Sequence, residues 1–169
     1  MADGGMPAGG VAPDAANPRA FRDALGRFAT GVTVVTIAGP KGPLGFTANS
    51  FASLSLDPPL VLWSLARSSQ RFPAFAAARH YAIHVLAQDQ GAFAARFSRG
   101  GPDDAEPDWQ RNPEGVPVLP GVLARFDCTQ HATHDGGDHL IIVGQVLRLA
   151  HEEGEPLVFA KGRFGRFTA

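Results

Sequence analysis

The segment at 45–59, GFTANSFASLSLDPP, sets Thr47, Asn49, Ser50, Ser53 and Ser55 among small and apolar neighbours. Small residues let backbone N–H and C=O groups approach a flat ligand closely. Hydroxyls and an amide add donors and acceptors for the edge of a polar heterocycle. Apolar walls with a few placed polar groups are the composition of a small-molecule site. The same composition also suits an ordinary Ser/Thr-rich edge strand and turn. A second segment, SLARSSQRF at 64–72, follows an apolar run and opens a helical pattern. Ser68 and Ser69, with Arg67 and Arg71 beside them, form a candidate phosphate site if that helix N-terminus faces a ligand. An ordinary Ser cap with solvated arginines is the plainer alternative.

Two further clusters carry polar chemistry. CTQHATHDGGDH at 128–139 gathers Cys128, His131, His134, Asp138 and His139. Cys and His ligate zinc, yet this spacing matches no zinc signature. On one strand His131 and His134 would point to opposite faces. His80 and His84, in HYAIHVL, share a strand face and read as semi-buried residues. The C-terminal KGRFGRF places Lys161, Arg163 and Arg166 beside Phe164 and Phe167, so rings can stack and cations can meet phosphates. The chain lacks a G-x-G-x-x-G after a strand, a G-x-x-x-x-G-K-[ST], a G-x-S-x-G and an H-E-x-x-H. A nucleotide cofactor, if bound, needs an architecture other than the Rossmann unit.

The elements that must position these residues are mostly strands. Residues 1–16 are Gly, Ala, Pro and Asp without periodicity and read as a flexible tail, leaving one domain over 17–169. Asn17-Pro18 predicts a helix start, Phe21, Leu25 and Phe28 its apolar face, and Gly31 its end. VTVVTIA at 32–38 and residues 44–49 predict a hairpin. An extended stretch at 51–56, a stiff DPP connector and an apolar strand at 60–65 follow. Helices are expected from Ser68 or Ser69 to about Arg79 and from Asp89 to Phe97, around a strand at 81–86. Residues 99–121, with a lone Trp109, read as a long loop able to cover a site. Strands at 122–133, 139–151 and 157–160 complete the count. Seven or eight short strands without βαβ alternation point to an antiparallel barrel with peripheral helices.

Composition narrows the class. The 169 residues suit one domain, with 44% hydrophobic and 18% charged residues. A net charge of −1 argues against a nucleic-acid partner. The N-terminus lacks the basic and apolar regions of a signal peptide, and no run reaches the about 18 apolar residues of a membrane helix. A single cysteine allows no internal disulfide. These features predict a cytoplasmic protein.

Four motifs in order are similar to the flavin reductase-like family: FRDALGRFATGVTVVT, GFTANSFASLSLDPPLVLWSL, GDHLIIVGQV and PLVFAKGRFGRF. The resemblance runs from about Phe21 to Phe167. It implies a mainly β, antiparallel split β-barrel of the FMN-binding, Greek-key type, with a few short peripheral helices. It implies a homodimer that binds FMN or FAD near the subunit interface and takes hydride from NADH or NADPH. A separate flavin-dependent monooxygenase would receive the reduced flavin. By position, the resemblance assigns Thr47, Ala48, Asn49 and Ser50 to the isoalloxazine and Ser53 to the ribityl-phosphate side. Ser64, Leu65 and Ala66 would line the ring, with Ser69 and Arg71 near the phosphate. His139 would serve the nicotinamide as the catalytic-site residue, joined by Lys161, Arg163 and Phe164. Phe164 stands where the family often has Tyr, which leaves stacking but removes a hydroxyl. Other readings are a non-enzymatic flavin- or haem-binding barrel and a metal-binding barrel. A pyridoxamine-phosphate-oxidase-like barrel needs phosphate-binding Lys/Arg in other strands.

Overall fold

The computed structural model describes residues 10, 12–99 and 108–167. Seven strands form one antiparallel sheet in the order β3-β2-β6-β9-β10-β5-β4. They are β2 (Thr33–Gly39), β3 (Gly42–Ala48), β4 (Ala52–Leu56), β5 (Pro59–Ala66), β6 (His80–Val85), β9 (Ala124–Gly136) and β10 (His139–His151). The β9–β10 hairpin inserts between β5 and β6, a Greek-key connection. The sheet begins at β3 and ends at β4, yet these strands are consecutive and joined only by residues 49–51. A flat sheet would hold them about 29 Å apart, at about 4.8 Å per strand spacing. The joint spans at most about 14 Å. The sheet must therefore roll until its edges approach, and β3 does lie against β5. This is the expected split barrel.

A smaller sheet, in the order β1-β11-β12, joins β1 (Thr30–Gly31), β11 (Leu157–Ala160) and β12 (Arg163–Arg166). The barrel interior is filled by Val35, Ile37, Trp63, Leu65, Phe75, Tyr81, Ile83 and Ile142. A second cluster, with Val32, Val34, Leu86, Ala94, Phe97 and Leu157, lies on the outer face of β2. Thus β2 is buried on both faces, which explains why VTVVTIA runs apolar without alternation. On β10, a side chain at Gly144 would overlap the Tyr81 hydroxyl. The glycine of GDHLIIVGQV therefore makes room for a core tyrosine.

The strands follow the sequence expectation closely, and the first two helices are shorter than expected. α1 covers Arg19–Leu25, with Pro18 at its N-cap. Gly26, not Gly31, ends it, because the Gly26 carbonyl accepts Lys161 N–H at 2.8 Å and residues 30–31 pair with β11. α2 is only Phe72–Ala76. Ser69 stands before it in a turn, its Oγ accepting Arg71 N–H at 3.2 Å. The helix cannot reach Arg79, whose carbonyl accepts Gln130 N–H from β9 at 2.8 Å. α3 covers Gly91–Arg99. The turn before it is held by Gln90, whose Oε1 accepts Ala87 N–H at 3.0 Å, rather than by Asp89. The 99–121 stretch is not wholly irregular. It contains β7 (Gln110–Arg111) paired with β8 (Pro117–Val118), and Val116, Val118 and Leu119 are buried. Most of the expected tail, and residues 100–107, lie outside the described residues.

His84 is more than semi-buried: it is wholly enclosed. Its Nδ1–H donates to the Val34 carbonyl at 2.9 Å, and its Nε2 accepts Leu119 N–H at 3.2 Å. Both ring nitrogens are satisfied only when the ring is neutral. Burial is the main cause that lowers its pKa from 6.5 to about 4. The unfolded chain therefore takes up this proton first. Stability is full above about 6.5 and falls as pH drops through about 4. The expected loss is about 3 kcal/mol. Denaturant midpoints measured between about pH 7 and pH 4 should fall steeply for the wild type and less so for His84→Gln. Equal slopes for the two proteins would contradict this role.

Candidate functional site

The joint at 49–51 lies where the two sheet edges meet. Ser50 fastens it. Its Oγ accepts Ser64 N–H at 2.9 Å and donates to the Ser64 carbonyl at 3.4 Å, tying the joint to β5. Asn49 and Ser53 are exposed beside it. Alternation along β5 turns Leu65 into the core and Ser64 and Ala66 to the other face. Leu65 and Ala48 are buried, so they can offer a ligand only backbone groups.

A cleft of about 1120 Å³ opens beside this face. Thr47 and Phe46 of β3 line it, with Ala66 and residues 68–71 after β5. The C-terminal turn of α3 and Trp109 form the opposite wall. Gly45 is needed here, because a side chain on it would overlap the Phe97 ring. Phe97 in turn lies 6.0 Å from the Trp109 ring. Trp109, in the stretch expected to cover a site, lines this cleft. Thr47 Oγ1 donates to the Ala94 carbonyl at 2.8 Å, which fastens α3 to β3.

Arg71 joins the same walls. One terminal nitrogen, Nη1, donates to the Gly45 carbonyl at 2.6 Å and the Phe97 carbonyl at 2.7 Å. Nη2 reaches the Ser98 carbonyl at 3.4 Å, and the guanidinium lies 5.1 Å over the Phe46 ring. Partial burial lowers its pKa from the ordinary value. These carbonyls stabilise the cation without neutralising it. Lys41, Arg96 and Arg99 line the cleft as well, and no Asp or Glu does so among the described residues. Among the described residues, every charged side chain lining the cleft is cationic, in a chain of net charge −1. Lys41, Phe46 and the α3 arginines were missed in the sequence, where they sit on a turn, a strand and a helix with no shared motif.

His139 starts β10, directly across from Ala66 in the ladder. It therefore stands at the rim of the face that carries Ser64 and Ala66. Its Nδ1 lies 2.7 Å from Asp138 Oδ1. The carboxylate accepts from Nδ1–H and leaves Nε2 open to a ligand. Asp138 is held below the usual carboxylate range, mainly by this hydrogen bond. The residues of the C-terminal motif lie elsewhere. Lys161 and Gly162 form the β11–β12 turn with φ of 51° and 74°. Arg163 and Phe164 are exposed on β12, with Phe164 5.6 Å from the Phe159 ring. Within one chain they do not line the cleft with Ala66 and Arg71. Among the described residues, no cluster of His, Cys, Asp and Glu is arranged to hold a metal. Cys128 is buried, and burial pushes its thiol up to about 12.

The donor set fits a phosphorylated aromatic ligand. Phe46, Ala66 and Trp109 offer apolar surface, Ser68, Ser69 and Gln70 offer polar groups, and the cations face an anion.

Known proteins resemble this chain over most of its length. Residues 25–168 match the family described as flavin reductase like domain. The chain is 62% identical over 156 residues to the FMN reductase (NADH) SmoA of Agrobacterium fabrum, covering 92% of this chain and 90% of that protein. It is 42% identical to the flavin-dependent monooxygenase reductase subunit HsaB of Rhodococcus jostii, covering 92% of this chain and 81% of that one. The solved NADH:FAD oxidoreductase of Streptomyces globisporus C-1027, in complex with NAD and FAD fragments, superposes with a TM-score of 0.86 at 36% identity. That match covers 94% of this chain and 98% of the other. With the split barrel and the cation-lined cleft already in place, these matches show that the chain belongs to the flavin reductase-like family.

Proposed function

We propose that the protein is an NADH-dependent flavin reductase that supplies reduced FMN to a separate monooxygenase. The observation that carries this reading is the cation-lined cleft abutting the Ser50–Ser64 joint. The names of the relatives support NADH and FMN as the substrates, and a two-component monooxygenase as the setting. The bound flavin supplies the hydride-accepting chemistry, which no side chain here could provide. The exposed Asn49 and the half-buried Thr47 and Ser50, with the backbone of Ala48, hold the ring edge. Ser53, Ser64, Leu65 and Ala66 flank it, the last three along β5. Ser69 and Arg71 face the phosphate, with Lys41 and Arg99 enlarging the positive field. His139 orients the nicotinamide through its open Nε2. This chain's contribution is placement and exclusion of water, not a nucleophile.

Lys161, Arg163 and Phe164 do not line this chain's cleft, and in a homodimer a second copy would bring them to it. Helix α1 supports that assembly. None of its seven residues is buried, and Phe21, Leu25 and the nearby Phe28 are 51%, 57% and 77% exposed. So short a helix is marginal without a packing partner. NADH chemistry and the free buried thiol accord with a cytoplasmic location. Among the described residues no helix is long and apolar enough to cross a membrane.

Three measurements test this function. Purified protein mixed with FMN should oxidise NADH, and His139→Ala should raise the KM for NADH about tenfold, the effect of losing one hydrogen bond. No oxidation with FMN, FAD or riboflavin defeats the reductase reading. Raising ionic strength from about 0.02 to 0.5 M should raise the KM for FMN but not that for uncharged riboflavin. Parallel curves would remove the phosphate from the cleft. Light scattering should give twice the 17.8 kDa chain mass, and Phe21→Ser with Phe28→Ser should shift it toward one chain. A monomeric wild type would refute the dimer.

A further inference from the structure

We propose that Arg67 is a positioning residue that holds the β9–β10 hairpin tip, and through it His139, against the end of β5. The proposal rests on the reading that His139 meets the nicotinamide. Three hydrogen bonds converge from this one residue. Its backbone N–H donates to the Asp138 carbonyl at 3.0 Å. Its Nε donates to the Gly137 carbonyl at 3.1 Å, and Nη2 donates to Asp135 Oδ1 at 2.7 Å. The guanidinium also lies 5.7 Å over the Phe72 ring, at the start of α2.

The tip needs such a hold. Gly137 and Asp138 form a two-residue turn, and Gly137 takes a φ of +76°. His139 follows immediately, so any hinge motion of the turn swings its ring. Across the ladder, His139 pairs with Ala66, the last residue of β5, and Arg67 follows it immediately. Arg67 thus grips the turn from the end of the strand whose Ala66 borders the cleft. The side chains of Arg67 and Asp135 are 42% and 79% exposed. An ion pair so exposed adds little to stability. Its geometry, with two donors of one planar fork engaging one acceptor on the turn and one on β9 just before it, favours orientation over stability.

The test is a double-mutant cycle read in kcat/KM for NADH, with KM for FMN and melting temperature as controls. Arg67→Gln should lower kcat/KM for NADH about tenfold and shift the KM for FMN less than about twofold. In a His139→Gln background the same change should cost less than about twofold. Arg67→Lys keeps the charge but not the paired donors, and should be as impaired as Arg67→Gln. Asp135→Ala, which removes the Nη2 acceptor, should follow the same pattern and serves if Arg67→Gln does not fold. Additive losses in both backgrounds overturn the proposal, as does full rescue by Lys, which would mark a direct contact with an anionic substrate. If His139→Gln is impaired but Arg67→Gln is not, this inference alone fails. If His139→Gln is itself silent, the reading of His139 fails and takes the inference with it.

Discussion

The structure depends on one topological constraint: the two edges of a seven-stranded sheet are joined by residues 49–51. A joint that short forces the sheet to roll. Rolling creates the barrel interior around Trp63 and Tyr81, and it also leaves a seam where β3 meets β5. Backbone groups at a seam are not all consumed by the sheet ladder. At Ser64 the N–H and the carbonyl are satisfied instead by Ser50 Oγ. The proposed binding site thus lies at the place where the fold's closure is least complete.

The outer layer turns that seam into a cleft. Because β2 is buried on both faces, α3 can pack outside the barrel without leaving the sheet exposed. Gly45 lets Phe97 settle against β3, and Thr47 and Arg71 bind the carbonyls of α3. Arg71 is then part of the wall and part of its charge. The same group that fixes the geometry also sets the electrostatics, because its partners are dipoles and not carboxylates.

Strand positions were readable because β-branched runs and Gly/Pro turns carry local information. β10 and β11 have the limits expected from their sequence. The lengths of α1 and α2 were not readable, since distant backbone partners, Lys161 and Gln130, capture Gly26 at the end of α1 and Arg79 three residues beyond α2. The two-residue strands β7 and β8 are too short to show any periodicity. At the site, the 45–59 segment was visible as a motif and falls on the seam. Lys41, Arg96 and Arg99 were not visible, because only folding brings the β2–β3 turn beside the end of α3. Ser69 and Arg71 were read beside a helix N-terminus, and they do precede α2, Arg71 as its N-cap residue; the Arg71 guanidinium, however, is aimed at carbonyls.

The claim that the seam seats the flavin is tested most directly at its fastening. Ser50→Ala removes the hydroxyl that ties the joint to Ser64 and leaves the barrel core untouched. Titrating FMN into the variant while following flavin fluorescence should show binding weakened about tenfold, the effect of one hydrogen bond, with a melting temperature within a few degrees of the wild type. Unchanged FMN affinity in a folded Ser50→Ala protein would show that the flavin does not sit at the seam.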